Sequence, residues 1–170
     1  MKRMPGFTLV EMLIAMALVA ILLTIGIPSF RFVTNSNRIA GEINGLLGDM
    51  QFARSEAIKE GQPVTICVST DQATCATGAN ANAWQSGWIV SDVNGNVLRV
   101  QTPFSGTDTF LASNTVKSVT FNREGYATGI ANGTLITLHD STNNINWTRC
   151  LSITLVGLMA SQKYDGVICN

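Results

Sequence analysis

Three groups of residues in this 170-residue chain carry side chains fit for chemistry. The first is a lone carboxylate, Glu11, near the start of an apolar run that holds no other charge from Met12 to Phe30. A carboxylate there is costly and demands a compensating reason. The second is four cysteines, Cys67, Cys75, Cys150 and Cys169, which suit disulfides or zinc. The third is His139-Asp140-Ser141, three residue types of a nucleophilic triad side by side.

Spacing weighs against two of these chemistries. Triad partners are defined by spatial roles, and neighbours at a strand end rarely meet that geometry, so no catalytic residue is assigned. The cysteine spacings are not C-x-x-C and His139 is the only histidine, which disfavours zinc. Asp71, Asp92 and Asp108 are scattered without a calcium-loop pattern, and no glycine loop is built to cradle phosphate. No metal, cofactor or small-molecule ligand is expected. Disulfides remain. Four cysteines allow three pairings; proximity favours Cys67 with Cys75 and Cys150 with Cys169. Each such loop is worth about 2–3 kcal/mol on the entropic account.

The elements that hold these residues follow from pattern. As a helix, Phe7 to Phe30 reaches roughly 36 Å, enough to cross a hydrocarbon core of about 30 Å. An ordinary signal peptide fits poorly: the apolar stretch is too long and runs into Arg31 without a small-residue cleavage site after it. Ile39, Ile43, Leu46, Leu47, Met50, Ala53, Ala57 and Ile58 then recur at helical spacing, opposite Arg38, Glu42, Asp49, Arg54 and Lys59. Gly61 and Pro63 end that helix. The two halves together predict a nearly continuous helix of about 80 Å, bent or loosened at Gly26 and Pro28.

Beyond Pro63 the period shortens. Strands are predicted over 64–68, 87–91, 97–101, 116–121, 135–138 and 150–155, with Asn94-Gly95 a hairpin turn. Polar stretches 71–82, 105–114 and 140–146 read as loops. The order implies an α+β chain in which a long helix backs an antiparallel sheet or small β-sandwich. Charge is balanced, with 11 basic and 11 acidic residues, so the chain has no broad electrostatic footprint for nucleic acid.

Gly6, Phe7 and Glu11, followed by the apolar run, resemble a type IV prepilin. The resemblance implies a leader, residues 1–6, removed by a prepilin peptidase between Gly6 and Phe7, with Phe7 then N-methylated. It implies an assembly helix over 7–30, an amphipathic stem over 31–62, and a β-rich head over 63–170. Pro28 sits where the family helix often kinks. Glu11 of one subunit is expected to pair with the Phe7 amine of its neighbour and set axial register.

Leu46-Leu47-Gly48-Asp49-Met50-Gln51-Phe52-Ala53-Arg54-Ser55-Glu56-Ala57-Ile58 leading into Val64-Thr65-Ile66-Cys67 is similar to the FimT/GspH type of minor pilins and pseudopilins. Gly87-Trp88-Ile89-Val90 and Phe121-Asn122-Arg123-Glu124-Gly125-Tyr126-Ala127 are similar to its later blocks. The resemblance implies a single-pass inner-membrane protein with a periplasmic head, later part of a pilus or pseudopilus, and other pilin subunits as partners. A minor pilin that starts or caps a type IV pilus is the leading expectation; a pseudopilin of type II secretion is the alternative. A DNA-binding role is disfavoured, because Gly157-Leu158-Met159-Ala160 lacks the arginines of the DNA-binding relatives. The even cysteine count suits a head outside the cytoplasm. Trp88 is expected in the core, and Trp84 and Trp147, in or beside polar loops, on a contact surface.

Overall fold

The computed structural model describes residues 7–78, 81–104, 106–113, 116–131 and 133–166. One helix, α1 (Leu9–Glu60), occupies the N-terminal third. Its internal contacts divide the chain into two units between Asn37 and Arg38. In the first unit the helix is apolar on every side and its large side chains, from Phe7 to Val33, are exposed. The helix is long and apolar enough to cross a membrane, with none of its most apolar window buried in the protein.

In the second unit α1 narrows to one apolar stripe. Ile39, Ile43, Leu46, Met50, Ala53 and Ala57 are buried, and Leu47 is partly so. Ile58, which shares the spacing, is exposed. Gly61, with φ of 65°, ends the helix in the left-handed conformation that glycine adopts most cheaply.

Among the described residues nine strands follow: β1 (Val64–Val68), β2 (Trp88–Ser91), β3 (Val97–Gln101), β4 (Thr109–Ala112), β5 (Ser118–Phe121), β6 (Ala127–Thr128), β7 (Thr134–His139), β8 (Arg149–Ile153) and β9 (Met159–Lys163). They form two antiparallel sheets, ordered β3-β2-β1-β5-β6 and β4-β7-β8-β9. The α+β reading therefore holds, with two sheets meeting the stem in one core. Ile66, Val90, Val119 and Phe121 come from the first sheet, and Phe110, Ile136, Leu138, Leu151 and Ile153 from the second. All six expected strands are present.

Three strands escape the sequence pattern. β4 lies within the stretch 105–114 read as a loop; its inward residues are only Phe110 and Ala112. β6 has two residues, and β9 is an edge strand with no buried residue. Trp84 also departs from expectation. It is fully buried on a short 3-10 turn (Trp84–Ser86), and its Nε1–H donates to the Val116 carbonyl at 3.1 Å. Trp84, Trp88, Phe104 and Phe110 form an aromatic cluster with centroids 5.8–6.4 Å apart. Trp147 packs partly buried against the core.

Arg54 ties α1 to two turns. Its Nε–H donates to the Gly125 carbonyl at 3.0 Å, and Nη2 reaches the Val156 carbonyl at 3.5 Å. Gly157 closes the β8–β9 turn at φ 75°, and a Cβ there would run into the Gly125 carbonyl and crowd Arg54. Gly157→Ala is therefore expected to cost about 2 kcal/mol or more, combining left-handed strain with the clash. A chemical-denaturation midpoint unchanged in that variant would contradict this packing.

Candidate assembly interface

The first turn of α1 is built by Thr8. Its Oγ1 accepts from the Glu11 backbone N–H at 3.2 Å, and its carbonyl accepts from the Met12 N–H at 3.2 Å. Thr8 is thus the N-cap, and Thr8-Leu9-Val10-Glu11 has the spacing of a capping box. Glu11 stands at the helix N-terminus, where the macrodipole favours negative charge by about 0.3–1 kcal/mol. Among the described residues no ion pair meets its carboxylate. Thr24 and Thr34 turn their hydroxyls back onto the carbonyls of Ile21 and Phe30, at 2.7 and 2.9 Å. Glu11 is then the sole ionisable side chain between Phe7 and Phe30.

Phe7 is exposed, and Gly6 lies outside the described residues. The backbone stays helical through Gly26 and Pro28. Pro28 has no N–H to offer the Thr24 carbonyl, which weakens the ladder at that turn.

In the second unit polar contacts at Arg38 and Asp49 join those of Arg54 in fastening the stem to the β structure. Arg38 binds Asp108 through both guanidinium nitrogens, Nη1 at 2.5 Å and Nη2 at 3.0 Å, and the Asp108 side chain is almost fully buried. Glu42, one turn along, is half-buried with its Oε2 unpartnered. Burial first, then the Asp108 carboxylate, pushes its pKa up from 4.5 to about 7. Further on, Asp49 accepts from Trp88 Nε1 and from Arg99 Nη1, each at 2.9 Å. The Arg99 guanidinium also stacks over Phe52, 3.9 Å from the ring centroid. This holds edge strand β3 against the helix.

Cys67 and Cys75 are bridged, with Cα atoms 5.5 Å apart. The loop they close is organised by Asp71, whose carboxylate accepts from Thr74 Oγ1, the N–H groups of Thr74 and Ala73, and Ser69 Oγ. Those bonds hold its pKa well below the usual carboxylate range. Cys150 is buried and disulfide-bonded; Cys169 lies outside the described residues. Among the described residues no group of metal-ligating side chains converges. The Asp140 carboxylate, in the His139-Asp140-Ser141 run, is occupied in its own turn by Thr142 Oγ1 and the Asn144 N–H.

The capping box at Thr8 was missed in the sequence, although the local T-x-x-E pattern is the signal for it. The Arg38–Asp108 and Asp49–Arg99 pairs leave no such signal, since their partners lie 70 and 50 residues apart.

Residues 42–157 match the family model of the type II transport protein GspH, and residues 1–27 match the prokaryotic N-terminal methylation motif. A search of curated proteins gives no match. The fold is similar to crystal structures of the type IV minor pilin FimU from Pseudomonas aeruginosa. In one crystal form the TM-score is 0.59 at 21% identity, over 73% of this chain and 87% of that one. In another it is 0.55 at 21% identity, over 74% and 91%.

The Glu42 carboxyl gives a pH dependence whose sign is fixed. The fold favours the protonated form, so the stabilisation is fully present below pH 4.5 and is lost as pH rises through about 7. After allowance for solvent screening of a half-exposed group, the loss is about 1 kcal/mol. Glu42→Gln should remove this dependence and raise the melting midpoint above pH 7, followed by near-UV circular dichroism of the full chain in detergent. An unchanged pH profile in the variant would refute the assignment.

Proposed function

The chain belongs to the family of the type II transport protein GspH, and from that premise we propose that it is a minor pilin that initiates or caps a type IV pilus. The observation that carries this reading is the helix that changes character along its length. Its first half is apolar all round and exposed, while its second half buries a single stripe in the sheets. Such a first half needs either lipid or other helices like itself around it.

In this reading a prepilin peptidase cuts between Gly6 and Phe7 and methylates the new amine. The helix anchors the subunit in the inner membrane with its head in the periplasm, then passes into a filament core. There Glu11 pairs with the Phe7 amine of a neighbouring subunit and fixes axial register. Pro28 and Gly26 provide a bend where the helix adapts to its neighbours. The role is structural, with no catalytic residue.

A second reading is a pseudopilin of a type II secretion system, favoured by the description of the matching family. Gene neighbourhood separates the two. A DNA-binding role is disfavoured by the described β8–β9 turn. It presents Leu158 and Met159 with no basic side chain, and phosphate contacts by Lys and Arg dominate non-specific affinity.

Processing predicts an intact mass for a chain starting at Phe7 plus one methyl group; an N-terminus beyond the apolar run would sink the reading. Glu11→Ala should leave the chain folded and membrane-bound while reducing its recovery in sheared filaments at least tenfold. Wild-type recovery would remove the register role.

A further inference from the structure

We propose that the cleft between the last turns of α1 and the β8–β9 turn docks a second, different pilin-type subunit, through an apolar segment that carries a carboxylate. The inference rests on the assembly role above and specifies the surface and the partner chemistry.

Ile58, Tyr126, Leu155, Val156 and Leu158 are 43–62% exposed, although each is a large apolar side chain. They come from three separate parts of the chain and are gathered by Arg54. Its guanidinium binds the carbonyls of Gly125 and Val156, and the Cβ position at Gly125 lies 2.9 Å from Ile58 Cδ1. Exposed large apolar side chains beside a cleft, as Ile58 and Leu158 are here, are a feature of interaction surfaces. Between the two walls is an open cleft of about 420 Å³, lined by Gln51, Ser55, Ile58, Leu158 and Met159, with Arg54 at its side.

Charge defines the occupant. Among the described residues the hydrogen-bond partners of Arg54 are two neutral carbonyls. The nearby acids in sequence are committed elsewhere: Glu124 pairs with Arg123 at 2.6 Å, and Glu56 and Glu60 pair with Lys59 at 3.0 and 3.1 Å. Guanidinium has five donors, so Arg54 retains donors for a carboxylate after serving both turns. An apolar segment with an acidic residue complements both features of the cleft.

The walls are already in place. The Gly157 N–H donates to the Thr154 carbonyl at 2.9 Å, and the Thr154 N–H to the Leu158 carbonyl at 3.0 Å. A preset turn lowers the ordering cost of binding.

The test places the photo-crosslinker p-benzoylphenylalanine at Leu158 of the full chain, in cells that make the complete filament system. The control site is Val93, exposed on the β2–β3 turn. The expected result is an adduct from Leu158, absent from Val93, whose partner peptide belongs to another pilin-type subunit and holds an Asp or Glu in an apolar segment. Leu158→Asp should lower co-recovery of that subunit at least tenfold without changing membrane insertion. Arg54→Gln should lower it several-fold, and the Leu158 variant decides the matter if Arg54→Gln fails to fold. An adduct only to a second copy of this chain, to DNA or to a non-pilin protein overturns the proposal. If pilin subunits co-purify but Leu158 reaches none of them, the cleft fails and the assembly role stands. If no pilin subunit co-purifies, both fail.

Discussion

One helix has to satisfy two environments, and the rest of the structure depends on how it does so. From Arg38 onward the apolar side chains of α1 keep to one stripe, and both sheets close on that stripe. Ile39, Ile43, Leu46, Met50, Ala53 and Ala57 are inaccessible. Fully burying a large aliphatic side chain contributes about 1.5–3 kcal/mol, so these positions are a main source of the head's stability. Up to Val33 the large apolar side chains of the same helix are exposed, a surface suited to lipid or to other helices. One continuous helix carries both patterns.

The stripe alone sets no unique angle or register between helix and sheets, since apolar contact is non-directional. Polar contacts supply direction at intervals along the stem. Asp108 reaches Arg38, Trp88 and Arg99 both reach Asp49, and Arg54 gathers the turns at Gly125 and Val156. Each contact joins α1 to a different part of the β structure. Removing one partner leaves a buried or half-buried group unmet, at a cost of about 1–3 kcal/mol, so a register slip is penalised at several places together. Glu42 is the weak member of this set, since its carboxyl sits beside Asp108 and is easiest to keep there when protonated.

The elements legible in the sequence were those whose cause is local. The stem stripe has helical spacing, and β1, β2, β5, β7 and β8 carry apolar residues into the core. The Cys67–Cys75 bridge closes a short loop and followed from proximity. Elements whose cause is tertiary were not legible. β9, Met159–Lys163, has no buried residue and is a strand because β8 offers it an edge. Trp84 stands beside a polar stretch, yet the 3-10 turn carries it inward to the Val116 carbonyl. Ile58 fits the stripe but is exposed, because α1 ends two residues later and the β8–β9 turn is held beside it by Arg54 instead of covering it.

Glu11 illustrates how magnitude chooses between a local and an intermolecular reason for a residue. A local reason exists, since the residue completes the spacing of a capping box with Thr8 and lies at the positive end of the helix dipole. Yet the bond to Thr8 uses the Glu11 backbone N–H, which any residue other than proline supplies. The dipole contributes about 0.3–1 kcal/mol, whereas a carboxylate drawn to the centre of an apolar layer costs about 2.5–3.5 kcal/mol on insertion scales, a cost Glu11 would meet only in a packed apolar core. The cap therefore accounts for a helix beginning at Leu9 and falls short of accounting for a charge at this position. In the proposed assembly, the protonated amine of a neighbouring Phe7 has the right sign to offset that cost. The same pairing is directional, which is what sliding apolar helices otherwise lack.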